Sequence, residues 1–122
     1  MDDLLEQLAD AYLNGEDELR FFYNRQTQEV YVPLEEEADD WEDDDHIEIV
    51  PVKNSREMYE VMVDFSNQFE GKIEEALFQA LNGRKPFRAF KEAASVVGVI
   101  EQWYDFELEY AKNQINKWLE QL

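Results

Sequence analysis

Apolar residues recur at helical spacing at the start of the chain. The repeating positions are Leu4, Leu5, Leu8, Ala11 and Tyr12. A period of three to four residues predicts an amphipathic helix over about residues 2 to 13. Asn14-Gly15 follows it, and this pair is typical of a helix end.

The pattern then changes to alternation, which is typical of strands. Residues 19 to 25 and 29 to 33 are rich in aromatic and β-branched types, with "QTQ" between them as a hairpin connection. A third strand is predicted in "HIEIVPV", residues 46 to 52, where Ile47 and Ile49 alternate. Pro51 cannot donate a backbone hydrogen bond, so it indicates an edge position or the strand exit.

Helical spacing returns after residue 53 and predicts four more helices. Asn54 and Glu57 have the spacing of a capping box, and the helix they begin is broken by Gly71. Another covers about residues 73 to 81. The next starts at Pro86, ends at Gly98 and is predicted to bury Phe87, Phe90, Ala94 and Val97. The last runs from about residue 99 to 121, with an apolar stripe that includes Tyr104.

These elements predict an α+β fold with an N-terminal helix, a small three-stranded antiparallel sheet and four C-terminal helices. The chain has 122 residues, which is enough to bury a core, and no linker composition interrupts it. We therefore expect a single domain over residues 1–122.

Charge is the unusual property of this sequence. With 30 acidic and 11 basic residues the net charge is −19, so affinity for free duplex nucleic acid or an anionic membrane is not expected. The absence of cysteine excludes disulfides and thiolate sites. An acidic N-terminus and the lack of a long apolar run favour a soluble cytoplasmic protein.

Nine of the eleven residues 35–45, "EEEADDWEDDD", are acidic. Such density predicts an extended loop, because like charges repel. It is open whether this acidic segment is solvated only, docks a basic protein partner or holds a hard cation, for which no EF-hand spacing is present. Under the docking hypothesis the partner-binding residues are Glu35, Glu36, Glu37, Asp39, Asp40, Trp41, Glu42, Asp43, Asp44 and Asp45.

Four of the eleven basic residues fall within eight positions: Arg84, Lys85, Arg88 and Lys91. Positive charge at a helix start opposes the helix dipole, so a negative group is expected nearby. Internal carboxylates, an external anion and no partner at all are three open alternatives. The first predicts that at least two of these bases form ion pairs within the chain.

No sequence motif identifies a catalytic, cofactor or metal site. The one histidine, His46, stands beside Asp45 at a predicted strand start, where a structural role is the commoner one. There is no nucleophile elbow, phosphate-cradling loop or zinc spacing. We therefore expect a non-enzymatic interaction domain without a cofactor. The alternative is a binder of a phosphate-containing ligand or nucleic acid through residues 84–91. The number of aromatic residues makes a homodimer credible.

The C-terminal half also resembles a known family. The residues that carry the resemblance are Gly83, Arg84, Phe87, Arg88, Phe90, Lys91, Trp103, Tyr104, Phe106, Trp118 and Leu119. This pattern is similar to that of the bacterial uncharacterised protein family numbered 0158. The sequence departs from it at Lys85 and Pro86, and at Gln28, where the family has a turn glycine. The resemblance implies a fold and a bacterial cytoplasmic setting, and it implies no activity.

Overall fold

The computed structural model describes residues 2–16, 20–34 and 45–122 of the chain. Within these ranges the element order is α1 Asp2–Asn14, β1 Phe22–Asn24, β2 Glu29–Tyr31, β3 Ile47–Ile49, α2 Ser55–Ser66, α3 Lys72–Leu81, α4 Pro86–Val96 and α5 Ile100–Gln121. The predicted α+β class, with one helix, three strands and four helices in that order, is confirmed.

The described residues form two compact units. Unit 1 comprises Met1–Lys53 and Ala111–Leu122, and unit 2 comprises Asn54–Tyr110. Helix α5 begins in unit 2 and ends in unit 1, because the boundary falls within it. The single domain expected from chain length stays a prediction.

Unit 1 is built on a three-stranded antiparallel sheet in the order β2-β1-β3. Phe22 in the central strand pairs with Tyr31 on one side and Ile49 on the other. The strands have three residues each, shorter than predicted, although Val50 still donates its backbone N–H to the oxygen of Phe21 at 2.9 Å. Pro51 follows the edge strand β3, as its missing donor requires.

The β1–β2 hairpin has a strained residue in its turn. The side-chain oxygen of Asn24 accepts hydrogen bonds from the backbone N–H of Gln26 at 2.9 Å and of Thr27 at 3.1 Å. Gln28 then has a φ of 62°, in the left-handed region that favours glycine. This is the position where the family pattern has a turn glycine, so the hairpin keeps its shape at the expense of backbone strain.

Helix α1 and the end of α5 supply the helical part of the unit 1 core. Leu8, Ala111 and Ile115 are fully buried. The rings of Tyr23 and Trp118 lie 6.0 Å apart, which attaches the sheet to the last turns of α5. Ala111 and Ile115 are spaced by four residues, so they lie on one face of the second half of α5.

Unit 2 is helical and packs around aromatic rings. Phe65 of α2 lies 6.1 Å from Phe90 of α4, and 5.5 Å and 5.4 Å from Trp103 and Phe106 of α5. Edge-to-face and tilted geometries of this kind add to the stabilisation from area burial alone. Three helices of unit 2 therefore share one aromatic core.

Capping residues set the helix boundaries in unit 2. Asn54 accepts hydrogen bonds from the backbone N–H of Arg56 at 2.8 Å and of Glu57 at 3.2 Å, so the predicted cap of α2 is confirmed. Helix α4 ends at Val96, with Val97 as its C-cap, and Gly98 follows with a φ of 82°. Val99 then donates to the oxygen of Ala94 at 2.8 Å, which completes a Schellman motif.

Two predicted core positions are wrong. Phe87 is 36% exposed although Phe90, three residues on, is fully buried. Tyr104 is 52% exposed although it lies on the apolar stripe of α5. Helical period places both residues on apolar stripes, but period does not show whether another element covers that turn of the helix.

Candidate interaction surfaces

The acidic segment connects the two edge strands of the sheet. Strands β2 and β3 both run antiparallel to β1 and therefore run parallel to each other. A connection between parallel strands must return along the length of the sheet, which requires many residues. Residues 32–46 make this connection, and most of its length consists of the acidic run.

Most residues assigned to partner binding lie outside the described residues. They are Glu35, Glu36, Glu37, Asp39, Asp40, Trp41, Glu42, Asp43 and Asp44. Asp45, the last of the set, is described and is exposed at the turn before β3. Partner binding by these residues stays a prediction.

Arg25 attaches the end of the acidic segment to the sheet. Its guanidinium donates to the backbone oxygen of Asp45, and its Nε lies 3.6 Å from Oε1 of Glu48. Its backbone N–H donates to the oxygen of His46 at 2.8 Å. The acceptor is the backbone oxygen of Asp45, so this hydrogen bond does not use the side-chain carboxylate of that residue.

The four clustered bases all lie on the surface. Gly83, Arg84 and Lys85 belong to the short connection between α3 and α4, and Arg88 and Lys91 lie on α4. Arg84, Lys85, Arg88 and Lys91 are each exposed. We call these four bases, together with the exposed ring of Phe87, the basic face of α4.

Internal neutralisation of this face is slight within the described part of the chain. The Nε of Arg88 lies 3.3 Å from Oε1 of Glu92, one turn on, and the two side chains are 76% and 68% exposed. A solvated pair of this type contributes at most a few tenths of a kcal/mol. Among the described residues, Arg88–Glu92 is the one ion pair that the four bases form, whereas at least two of the bases were expected to form pairs. The carboxylates of residues 35–44 lie outside the described residues, so the prediction of internal pairing stays a prediction.

The start of α4 differs from that of α2. Lys85 occupies the N-cap position and makes no side-chain hydrogen bond to the helix, and no acidic residue lies in the first turn. In α2, by contrast, Asn54 caps the helix and Glu57 lies in the first turn. The dipole of α4 is therefore not offset locally, and a negative group beside the basic face would be stabilised.

A groove along α2 is a feature that the sequence did not indicate. It has a volume of about 550 Å³ and is lined by Arg56, Tyr59, Glu60, Val63 and Asp64. The hydroxyl of Tyr59 donates to the backbone oxygen of Leu81 at 3.1 Å, which fixes the ring beside α3. The spacing of three and four residues identifies one helix face, but its mixed polar and apolar character is common on solvated helices.

The described part of the chain contains neither a clustered metal-ligand set nor a helix able to span a membrane. Within residues 2–16, 20–34 and 45–122, no group of three or more potential metal-ligating side chains is placed to hold an ion. His46 is exposed immediately before β3. In the same part of the chain, no helix has the combined length and apolar character that a membrane span needs.

Comparison with known proteins gives a family and no further relatives. No curated protein and no solved structure matches the chain. One family model matches, and it covers residues 3–122, which is nearly the whole chain. The match includes both the acidic segment and the basic face, and it confirms the resemblance drawn from the sequence. The chain belongs to the uncharacterised protein family UPF0158.

Proposed function

We propose that this protein is a non-enzymatic interaction domain that docks a basic protein partner through residues 35–45. The observation that carries the proposal is the composition of this segment, in which nine of eleven residues are acidic. So dense a run cannot contribute to a core, because buried unpaired carboxylates are strongly unfavourable. Trp41 within it offers an aromatic anchor of the kind enriched at protein interfaces.

The attachment of the segment supports this proposal. Strands β2 and β3 are held by pairing with β1, and Arg25 binds the backbone of Asp45. Because Arg25 binds the backbone oxygen of Asp45, this hydrogen bond does not occupy the side-chain carboxylate of Asp45. The proposal also includes a bacterial cytoplasmic setting. Free duplex nucleic acid is not a proposed ligand, because the net charge of −19 opposes it.

The experiment replaces the nine acids of residues 35–45 with Asn and Gln in the full chain. We expect an unchanged or higher melting temperature, because the substitutions relieve repulsion. Capture from a native lysate at about 0.15 M salt should retain basic proteins on the wild-type chain and lose them on this amide variant. Equal capture by both chains, or capture that survives 1 M salt unchanged, would contradict the proposal.

A second candidate function is binding of a phosphate-containing ligand at the start of α4. The observation that favours it is the exposed basic face on a helix without a side-chain cap or an acid in its first turn. Pyrophosphate at millimolar concentration should then raise the melting temperature. The double variant Arg84→Gln/Lys85→Gln should remove that rise, and an equal rise in both chains would exclude the candidate.

A further inference from the structure

We infer that the basic partner is a second copy of this chain, whose basic face of α4 receives residues 35–45 of the first. This inference rests on the proposed function and names the partner of the same segment. Two surfaces of one sequence are thereby explained together. Residues 35–45 carry acidic residues and no base, and residues 84–91 of the basic face carry basic residues and no acid.

The charges of the two surfaces are complementary. Unit 2 contains eleven acidic and six basic residues, and four of those six bases lie in residues 84–91. Within the same stretch there is no acidic residue, and Glu92 follows it directly. Residues 35–45 contain nine acids and no base. The most basic surface and the most acidic segment of the chain are therefore suited to each other.

The length of the basic face favours a polypeptide over a single phosphate. Helix α4 begins at Pro86, and a rise of about 1.5 Å per residue places Lys91 roughly 8 Å further along the axis, with Arg84 and Lys85 in the connection before it. An extended peptide rises about 3.4 Å per residue, so three or four residues of an acidic run cover that length. A single phosphate group is shorter than that length.

The exposed ring of Phe87 supplies an apolar contact among the bases. It is 36% exposed, whereas Phe90 on the same helix is fully buried. The acidic segment contains one apolar side chain larger than alanine, that of Trp41. An aromatic pair flanked by opposite charges gives both affinity and register to the contact, which charge alone does not.

Repulsion between two chains of net charge −19 predicts an unusual salt dependence. The Debye length is about 30 Å at 0.01 M salt and about 8 Å at 0.15 M. At 0.01 M salt, where screening is weak, the two negatively charged chains repel each other as whole molecules. Near 0.15 M that long-range term is screened and the direct contacts remain. Self-association should therefore be strongest at intermediate salt and should be lost at 1 M.

The test is sedimentation velocity of the full chain from about 10 to 200 µM, at 0.01, 0.15 and 1 M salt. We expect concentration-dependent association at 0.15 M. Arg88→Glu/Lys91→Glu should weaken it at least about tenfold, because two attractive contacts become repulsive. The matched control is Arg56→Glu/Lys72→Glu, which reverses two exposed bases elsewhere in unit 2 and should leave association unchanged.

Mixing makes the test specific. One chain has its four bases, Arg84, Lys85, Arg88 and Lys91, changed to Glu, and a second has the nine acids of residues 35–45 changed to Lys. The mixture should associate, because each chain retains or regains a complementary surface. A wild-type chain that stays monomeric throughout, or association that Arg88→Glu/Lys91→Glu leaves intact, would overturn the inference.

A parallel arm separates this inference from the function on which it rests. A synthetic Lys/Arg-rich peptide is titrated into the wild-type chain and into the amide variant of residues 35–45. Binding to the wild type alone, together with a monomeric wild-type chain, keeps the proposed function and overturns the second copy as partner. Failure of the peptide to bind, in a chain that does not self-associate, overturns both.

Discussion

The turn at Gln28 permits a direct measurement of backbone strain. Its φ of 62° lies in the left-handed region, where a side chain costs about 1 to 2 kcal/mol relative to glycine. Gln28→Gly removes this strain but gives the unfolded chain more freedom, which costs about 0.4 to 1 kcal/mol. The net expectation is a gain in the free energy of unfolding of about 0.8 kcal/mol, the difference between the midpoints of the two ranges.

Gln26→Gly is the matched control, because it makes the same substitution in the same turn. Gln26 is exposed, and its φ is not positive. Its backbone N–H keeps its hydrogen bond to the side chain of Asn24, at 2.9 Å, when the residue is glycine. Only the cost in the unfolded state remains, so this variant should lose about 0.4 to 1 kcal/mol.

The difference between the two glycine variants measures the strain, because the contribution of the unfolded chain is common to both. We expect a difference of about 1 to 2 kcal/mol by urea unfolding followed by circular dichroism. For a chain of 122 residues, each kcal/mol of stability changes the melting temperature by about 4 °C. Equal destabilisation by Gln28→Gly and Gln26→Gly would refute the reasoning.

Three further substitutions test the description of unit 2 by the same unfolding assay. Gly98→Ala should cost about 0.8 kcal/mol, because at a φ of 82° the strain of about 1 to 2 kcal/mol is partly offset by the lower freedom of the unfolded chain, about 0.4 to 1 kcal/mol, and an added Cβ meets no atom within 4 Å. Asn54→Ala should cost about 1 kcal/mol and Asn54→Asp much less, since the aspartate keeps a capping oxygen. Phe90→Ala should cost about 3 to 5 kcal/mol, and Phe87→Ala less than a third of that, because only Phe90 is fully buried. Equal effects at the two phenylalanines, or no effect at Gly98 or Asn54, would contradict the assigned core and caps.

The order and type of the elements could be predicted because local signals determine them. Asn54 and Gly98 mark helix ends by chemistry that acts within one turn, and both assignments are confirmed. Strand length was predicted less well. The side-chain alternation extends to Phe21 and Arg25, whose backbones form single hydrogen bonds with Val50 and His46, so alternation alone does not mark where strand pairing ends.

The basic face and the groove along α2 could not be fully predicted, because burial and partners depend on residues that are distant in the sequence. Helical period places Phe87 beside Phe90 on one face, yet burial requires a neighbouring element over that turn. The exposure of Arg84, Lys85, Arg88 and Lys91 follows from their charge, but the partner of such a face lies elsewhere in sequence or on another molecule. The groove along α2 was missed for the same reason, since a groove depends on packing.

The most direct test of docking by residues 35–45 is fluorine NMR of the chain labelled with 5-fluorotryptophan. The chain has three tryptophans, and Trp41→Phe identifies the resonance of the one within the acidic segment. Trp103 is fully buried in unit 2 and serves as an internal reference. On titration with a Lys/Arg-rich peptide at 0.15 M salt, the resonance of Trp41 should shift to saturation, return in 1 M salt and leave that of Trp103 unchanged. Peptide binding that leaves Trp41 unshifted, or the absence of binding, would contradict the proposed function.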